Sequence, residues 1–175
     1  NLSLDPGLAF GTGSHPTTYL CLRWLDQQDL NGKTVIDYGC GSGILGIAAL
    51  LLGAKQVIAV DNDPQALLAS RDNAERNNIA ADRLTTYLPE DVPANLLADI
   101  MVANILAAPL ILLAPKLCAM TKLKGLLCLA GLLENQIDAV SAPYSEQFMF
   151  SQPSIESEWA QLSAQKSDGL SAVTV

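Results

Sequence analysis

Residues 34–43 read TVIDYGCGSG, and within that stretch the chain turns from strand to loop. Val35 and Ile36 form an apolar run that ends in an acid, Asp37. Glycine then takes every second position, at Gly39, Gly41 and Gly43. A strand, a loop of this kind and a helix bring bare backbone close to a ligand, because glycine has no Cβ to hold it off. A second strand-like run, Gln56–Val60, ends in Asp61, about twenty positions beyond the first glycine. An acid at that distance sits at the tip of the neighbouring parallel strand, where it accepts hydrogen bonds from the hydroxyls of a ribose. Together these features predict a site for a nucleoside-containing cofactor.

Composition narrows the setting. The 175 residues suit one domain with a full core, and half of them are hydrophobic. A mean hydropathy of +0.26 fits a parallel sheet whose strands are covered on both faces. The longest apolar stretch, residues 44–52, falls short of the roughly 18 residues a membrane span needs, so no membrane partner is expected. The N-terminus is neither basic nor followed by an apolar core, which argues against a signal peptide. The chain starts at Asn1, and we expect it to be a fragment of something longer. A net charge of −8 argues against direct nucleic acid binding, which needs clustered Lys and Arg, and suits a basic substrate better. Cys21, Cys40, Cys118 and Cys128 show no metal-ligand spacing; we read them as reduced, buried thiols of a cytoplasmic protein, with no metal site.

Strand and helix alternate along the chain. Pro64 opens a helix to about residue 78, residues 84–88 form a strand closed by Pro89, and residues 99–105 form a buried strand. A helix is expected over 109–121, kinked at Pro115. Residues 126–130 read as strand five between Gly125 and Gly131, and residues 132–141 as helix. Residues 146–150 and 158–165 alternate like an antiparallel pair. The fold class is therefore α/β, a mostly parallel doubly wound sheet with an antiparallel last strand. Residues 5–18, DPGLAFGTGSHPTT, form a loop long enough to act over a ligand, and Pro16 opens a helix over 17–25. We divide the chain into a covering loop and helix (1–33), a cofactor-binding domain (34–166) and a tail (167–175).

Gly41, Gly43 and Gly46 also spell GxGxxG, so a nicotinamide enzyme is the rival reading. Asp37 stands just before the loop, where it would repel a pyrophosphate and welcome a cation. The chain is also short for a separate catalytic domain, and its one histidine, His15, precedes the first strand. S-adenosylmethionine has no phosphate and carries a ribose, an ammonium and a sulfonium. Asp37 at the cationic end and Asp61 on the ribose answer that chemistry better. A non-catalytic nucleoside-binding module stays open beside both enzymes.

FGTGSHPTT at residues 10–18, DYGCGSG at 37–43 and VANILAAPL at 102–110 together resemble the PrmA-type methyltransferases of bacteria, over roughly residues 4–165. The resemblance implies a class I S-adenosylmethionine-dependent methyltransferase (Rossmann-like) fold. It also implies methylation of lysine ε-amines and the N-terminal α-amine of a large-subunit ribosomal protein. By the same resemblance Thr18 closes over the methionine part of the donor, Gly39 and Gly41 belong to its loop, and Asp61 holds the ribose. Asn104 matches the asparagine beside the transferred methyl, where it positions the amine. Family members carry a further N-terminal domain that captures the substrate, and it is absent here. Tyr38 stands where phenylalanine is common, and Ala130-Gly131 where Ser-Gly is usual. Against these roles, Asp61 could instead cap the Pro64 helix, Asn104 could satisfy backbone at a strand end, and His15 could be an ordinary loop residue. Leu20, Trp24, Leu25 and Trp159 read as packing.

Overall fold

The runs TVIDY and QVIAV form β1 (Thr34–Tyr38) and β2 (Gln56–Val60), apolar segments suited to strands covered on both faces. In this computed structural model, which describes residues 15–168, they pair in parallel within an eight-stranded sheet. β3 (Leu84–Tyr87) extends the sheet beyond β2, and β4 (Ala98–Asn104) pairs with β1 on the other side, both in parallel. β5 (Thr121–Leu133) lies parallel to β4, and β8 (Trp159–Lys166) runs antiparallel to β5. β6 (Phe148–Phe150) and β7 (Ser154–Glu156) both pair antiparallel with β8. The order β3-β2-β1-β4-β5-β8-β6 changes winding direction between β1 and β4, which opens a crevice over the carboxyl ends of the strands. The expected α/β class and mostly parallel sheet are what the chain adopts. β7 is an addition to the antiparallel pair read from the sequence.

Alternation along each strand assigns residues to two cores. α1 (Pro16–Asp26), α2 (Ile44–Leu51) and α3 (Pro64–Arg76) cover one face, where Trp24, Leu45 and Leu67 meet Val35, Val57 and Val102. α4 (Ala107–Leu112), α5 (Ala114–Ala119) and α6 (Ile137–Ser141) cover the other, where Leu110, Leu117 and Val140 meet Ile36, Ile58 and Met101. Each such fully buried aliphatic side chain contributes roughly 1.5–3 kcal/mol. Leu20, Trp24 and Leu25 are buried, as their spacing suggests.

The structure corrects three boundaries. The helix expected over 109–121 with a kink at Pro115 starts earlier and is instead broken in two at Leu113. Pro115 has no N–H to offer Ile111 and its ring meets that carbonyl, so a second helix begins in its place. Strand five is longer than residues 126–130, because Gly125 and Gly131 lie inside β5. The pairing register shifts at Gly131, whose φ of +94° forms a bulge that bends the strand without ending it. Consequently residues 132 and 133 are strand, and only Ile137–Ser141 of the helix expected over 132–141 is α-helical. Residues 5–14 of the covering loop and 169–175 of the tail lie outside the described residues.

Candidate active site

The glycine loop between β1 and α2 is held by backbone. Both Gly39 and Cys40 donate their N–H to the carbonyl of Val60, at 2.7 and 3.0 Å, which ties the loop to the end of β2. Gly39 has a φ of +80°, and a Cβ there would run into the Ile105 side chain. Only glycine meets both conditions. Gly41 N–H donates to Asp61 Oδ2 at 3.0 Å, so the acid at the tip of β2 reaches the loop from the side. Its Oδ1 accepts from the Asp63 N–H at 3.0 Å. Asp63, and not Asp61, caps α3, accepting from Gln65 N–H at 2.9 Å. The capping role weighed for Asp61 is thus filled by its neighbour.

Asp37, next to last in β1, faces the α2 side of the sheet and is 2% exposed. Its Oδ2 accepts from the Gly46 N–H at 3.1 Å, in the first turn of α2. Burial pushes its pKa up to about 7; the Gly46 hydrogen bond opposes this, and the charge of Asp61 adds to it. Neither Asp37 nor Asp61 has an ion-pair partner among the described residues. Burial and both acids also push the Cys40 thiol well up, which keeps it inert.

The opposite wall is assembled from distant segments. His15 caps α1, its Nδ1 accepting from Thr17 N–H at 3.2 Å. Thr18, fully buried in the first turn of that helix, accepts at Oγ1 from Asn104 Nδ2 at 3.5 Å. With its amide nitrogen so directed, Asn104 leaves Oδ1 without a partner among the described residues. Trp159, the first residue of β8, sets its ring edge-on to His15, with centroids 5.2 Å apart at 64°. The turn before it holds Ser157 and Glu158 at φ of +51° and +72°, a tight hairpin that aims the tryptophan.

These elements enclose one cavity of about 540 Å³ over the carboxyl ends of the parallel strands. Thr18, Asp37, Gly39, Gly41, Asp61 and Asn104 all line it, as does His15. Trp159, read as packing, lines it too and is half-buried. Sequence reasoning passed over Asn62 and Pro89, and also the apolar group Leu106, Pro109 and Leu113 with Lys116 beside it. Asn62 and Pro89 each stand two residues past a strand end, in the loops where doubly wound folds place ligand contacts, and that signal was available. α4 and α5 carried no comparable signal. Leu106 is 67% exposed at the rim.

Comparison with known proteins adds three findings. The ribosomal protein L11 methyltransferase (PrmA) family matches residues 1–167. Among individual proteins, a ribosomal protein L11 methyltransferase from Cellvibrio japonicus is 58% identical over 166 residues, covering 95% of this chain and 56% of that protein. The chain thus spans little more than half the length of that relative. A crystal structure of ribosomal protein L11 methylase from Lactobacillus delbrueckii subsp. bulgaricus superposes with a TM-score of 0.84 at 34% identity, over 94% of this chain and 84% of that one. The T. thermophilus 16S rRNA N2 G1207 methyltransferase, solved with AdoMet and guanosine, shares the fold with a TM-score of 0.74 at 22% identity, over 90% of this chain and 45% of that one.

Proposed function

This chain belongs to the ribosomal protein L11 methyltransferase (PrmA) family, and from that premise we propose that its cavity binds S-adenosylmethionine and passes the methyl group to a protein amine. The observation that carries the proposal is the pair of acids, Asp37 and Asp61, flanking one glycine loop in one cavity, neither of them ion-paired among the described residues. A pyrophosphate drawn against that loop would face the Asp37 carboxylate, whereas Asp61 suits the ribose of either cofactor. At about 4 Å and an effective dielectric of 20, a like-charge contact costs about 4 kcal/mol, which disfavours a dinucleotide. A cationic, phosphate-free nucleoside meets no such barrier. The cavity volume lies within the range of small-molecule sites, and the missing Cβ at Gly39 and Gly41 allows close approach.

In this reading Gly39, Gly41 and Thr18 bound the donor, Asp61 accepts from the ribose hydroxyls, and Asp37 faces the cationic methionine end. The donor supplies an electrophilic methyl on a sulfonium, already a good leaving group. The chain's own contribution is alignment and exclusion of water. A free lysine amine has a pKa of about 10.4, and its ammonium form has no lone pair to offer. Entry into the apolar wall of Ile105, Leu106 and Trp159 favours the neutral amine. Asn104 Oδ1 then accepts one of its hydrogens and turns the lone pair toward the donor. No strong general base is required.

We assign as acceptors the lysine ε-amines and the N-terminal α-amine of a large-subunit ribosomal protein, which places the reaction in the cytoplasm. The surface of this acidic chain suits such a basic protein and neither nucleic acid nor membrane. Among the described residues no helix is long and apolar enough to cross a membrane. Substrate capture we assign to the length of the relatives that this chain does not span. Calorimetric titration with S-adenosylmethionine, S-adenosylhomocysteine and NADH tests the donor reading. Binding of the first two and silence from the third is the expected result, and tight NADH binding overturns it.

A further inference from the structure

Behind the glycine loop stand two residues that take no part in the cavity. Of the six buried positions on α3, two are polar, Ser70 and Asn73. Both are fully buried, and a spacing of three puts them on one helix face. Ser70 Oγ donates to the Gly41 carbonyl at 3.0 Å, and Asn73 Nδ2 donates to the Ser42 carbonyl at 2.9 Å. Ser70 Oγ also lies 3.3 Å from Cys40 Sγ. The helix packs so tightly here that a Cβ added to Gly43 would come within 2.9 Å of Ser70 Oγ.

We propose that Ser70 and Asn73 are positioning residues of the donor site, acting through the backbone carbonyls of Gly41 and Ser42. Peptides flanked by glycine reorient easily, because glycine reaches conformations closed to other residues. The two side chains remove that freedom by turning successive carbonyls into α3 and away from the ligand. The loop then keeps one shape before the donor arrives, and binding does not bear the entropy of ordering it. An apolar helix face would pack well, yet it would take from both carbonyls the donors that α3 supplies. Two polar side chains in the interior are therefore explained by the loop they hold. The inference rests on the reading of the cavity as a donor site.

The test uses the 175-residue chain and titrates S-adenosylhomocysteine calorimetrically, well below the melting temperature of each variant. Ser70→Ala deletes one oxygen at a helical position that favours alanine, so the fold is retained. Asn73→Asp keeps the shape but replaces the donor with acceptors. Ligand dissociation constants should rise about fivefold for Ser70→Ala and about tenfold for Asn73→Asp, in line with one lost hydrogen bond each. Ser70→Thr restores a hydroxyl and should recover the affinity. A purely structural role predicts a lower melting temperature with unchanged affinity of the folded chain, and that result overturns the proposal. If Asn73→Asp does not fold, Ser70→Ala and its threonine rescue decide alone. Failure of the parent chain to bind S-adenosylhomocysteine instead overturns the donor-site reading, and this inference falls with it.

Discussion

The two walls of the cavity are built by different means. On the donor side, residues 37–46 form a continuous stretch, knit by backbone hydrogen bonds to Val60 and by the carboxylates of Asp37 and Asp61. On the proposed acceptor side, His15, Asn104 and Trp159 come from three separate segments, and the hydrogen bond by which Asn104 reaches Thr18 is long, at 3.5 Å. Leu106 stands open at the rim beside them, 67% exposed. A donor that is always the same molecule suits a rigid backbone cradle. An acceptor that arrives on a protein surface needs an open, apolar approach with few fixed contacts. Donor binding should therefore fail when acids or loop geometry change, and transfer should fail when acceptor-side groups change.

The sharpest test of that division is Asn104→Ala. If Oδ1 orients the amine, the transfer rate should fall about a hundredfold while donor affinity stays within about twofold, because alignment matters mainly in the transition state. Equal losses in both would move Asn104 to the donor side. Next comes Asp61→Ala, which removes the ribose acceptor and frees the Gly41 N–H. Loss of a charge-assisted contact worth roughly 1.5–3 kcal/mol should weaken S-adenosylmethionine at least tenfold. Unchanged affinity in a folded variant would remove Asp61 from the ribose. Trp159→Ala should raise KM for the amine acceptor about fivefold and leave donor affinity alone, since packing a lysine's methylene stem against the aromatic face contributes of the order of 1 kcal/mol. A collapse in melting temperature with unchanged KM would return Trp159 to the core.

The same contrast explains what could be read without a structure. The donor side was legible because one contiguous motif encodes it: apolar strand, acid, alternating glycines, then a second acid after the next strand. Thr18 and Asn104 entered the reading with the help of resemblance, because no local pattern tells residue 18 that it will meet residue 104. Trp159 follows strand alternation and reads as packing; the hairpin at Ser157 and Glu158 that turns it to the cavity lacks the glycine that usually marks such a turn. Gly125 and Gly131 mislead in the opposite sense, since glycine marks both strand ends and bulges within strands. Ser70 and Asn73 escape notice because polar residues in a helix are ordinarily solvated, and only packing against the loop gives them a role.

The last expected effect concerns the acid at the centre of the donor wall. Asp37 has its folded-state pKa raised from 3.8 to about 7, chiefly by burial. The folded chain therefore holds a proton there that the unfolded chain releases. This contribution to stability is complete below pH 4 and is lost as pH rises through about 7, at up to about 1.4 kcal/mol per pH unit. Asp37→Asn removes the titration and keeps the shape, so the unliganded variant should melt several degrees above the parent at pH 8, with the gap closing toward pH 5. A cationic donor reverses the preference, because it favours the ionised carboxylate. Parent affinity for S-adenosylmethionine should thus rise between pH 5.5 and 7.5, by less than about tenfold per unit, while the affinity of Asp37→Asn stays flat and weaker. Asn104→Ala removes no titratable group and should leave this profile intact. Parallel pH profiles for parent and Asp37→Asn would mean that the buried acid serves the fold of the loop alone, and the donor wall would then owe its selectivity to Asp61.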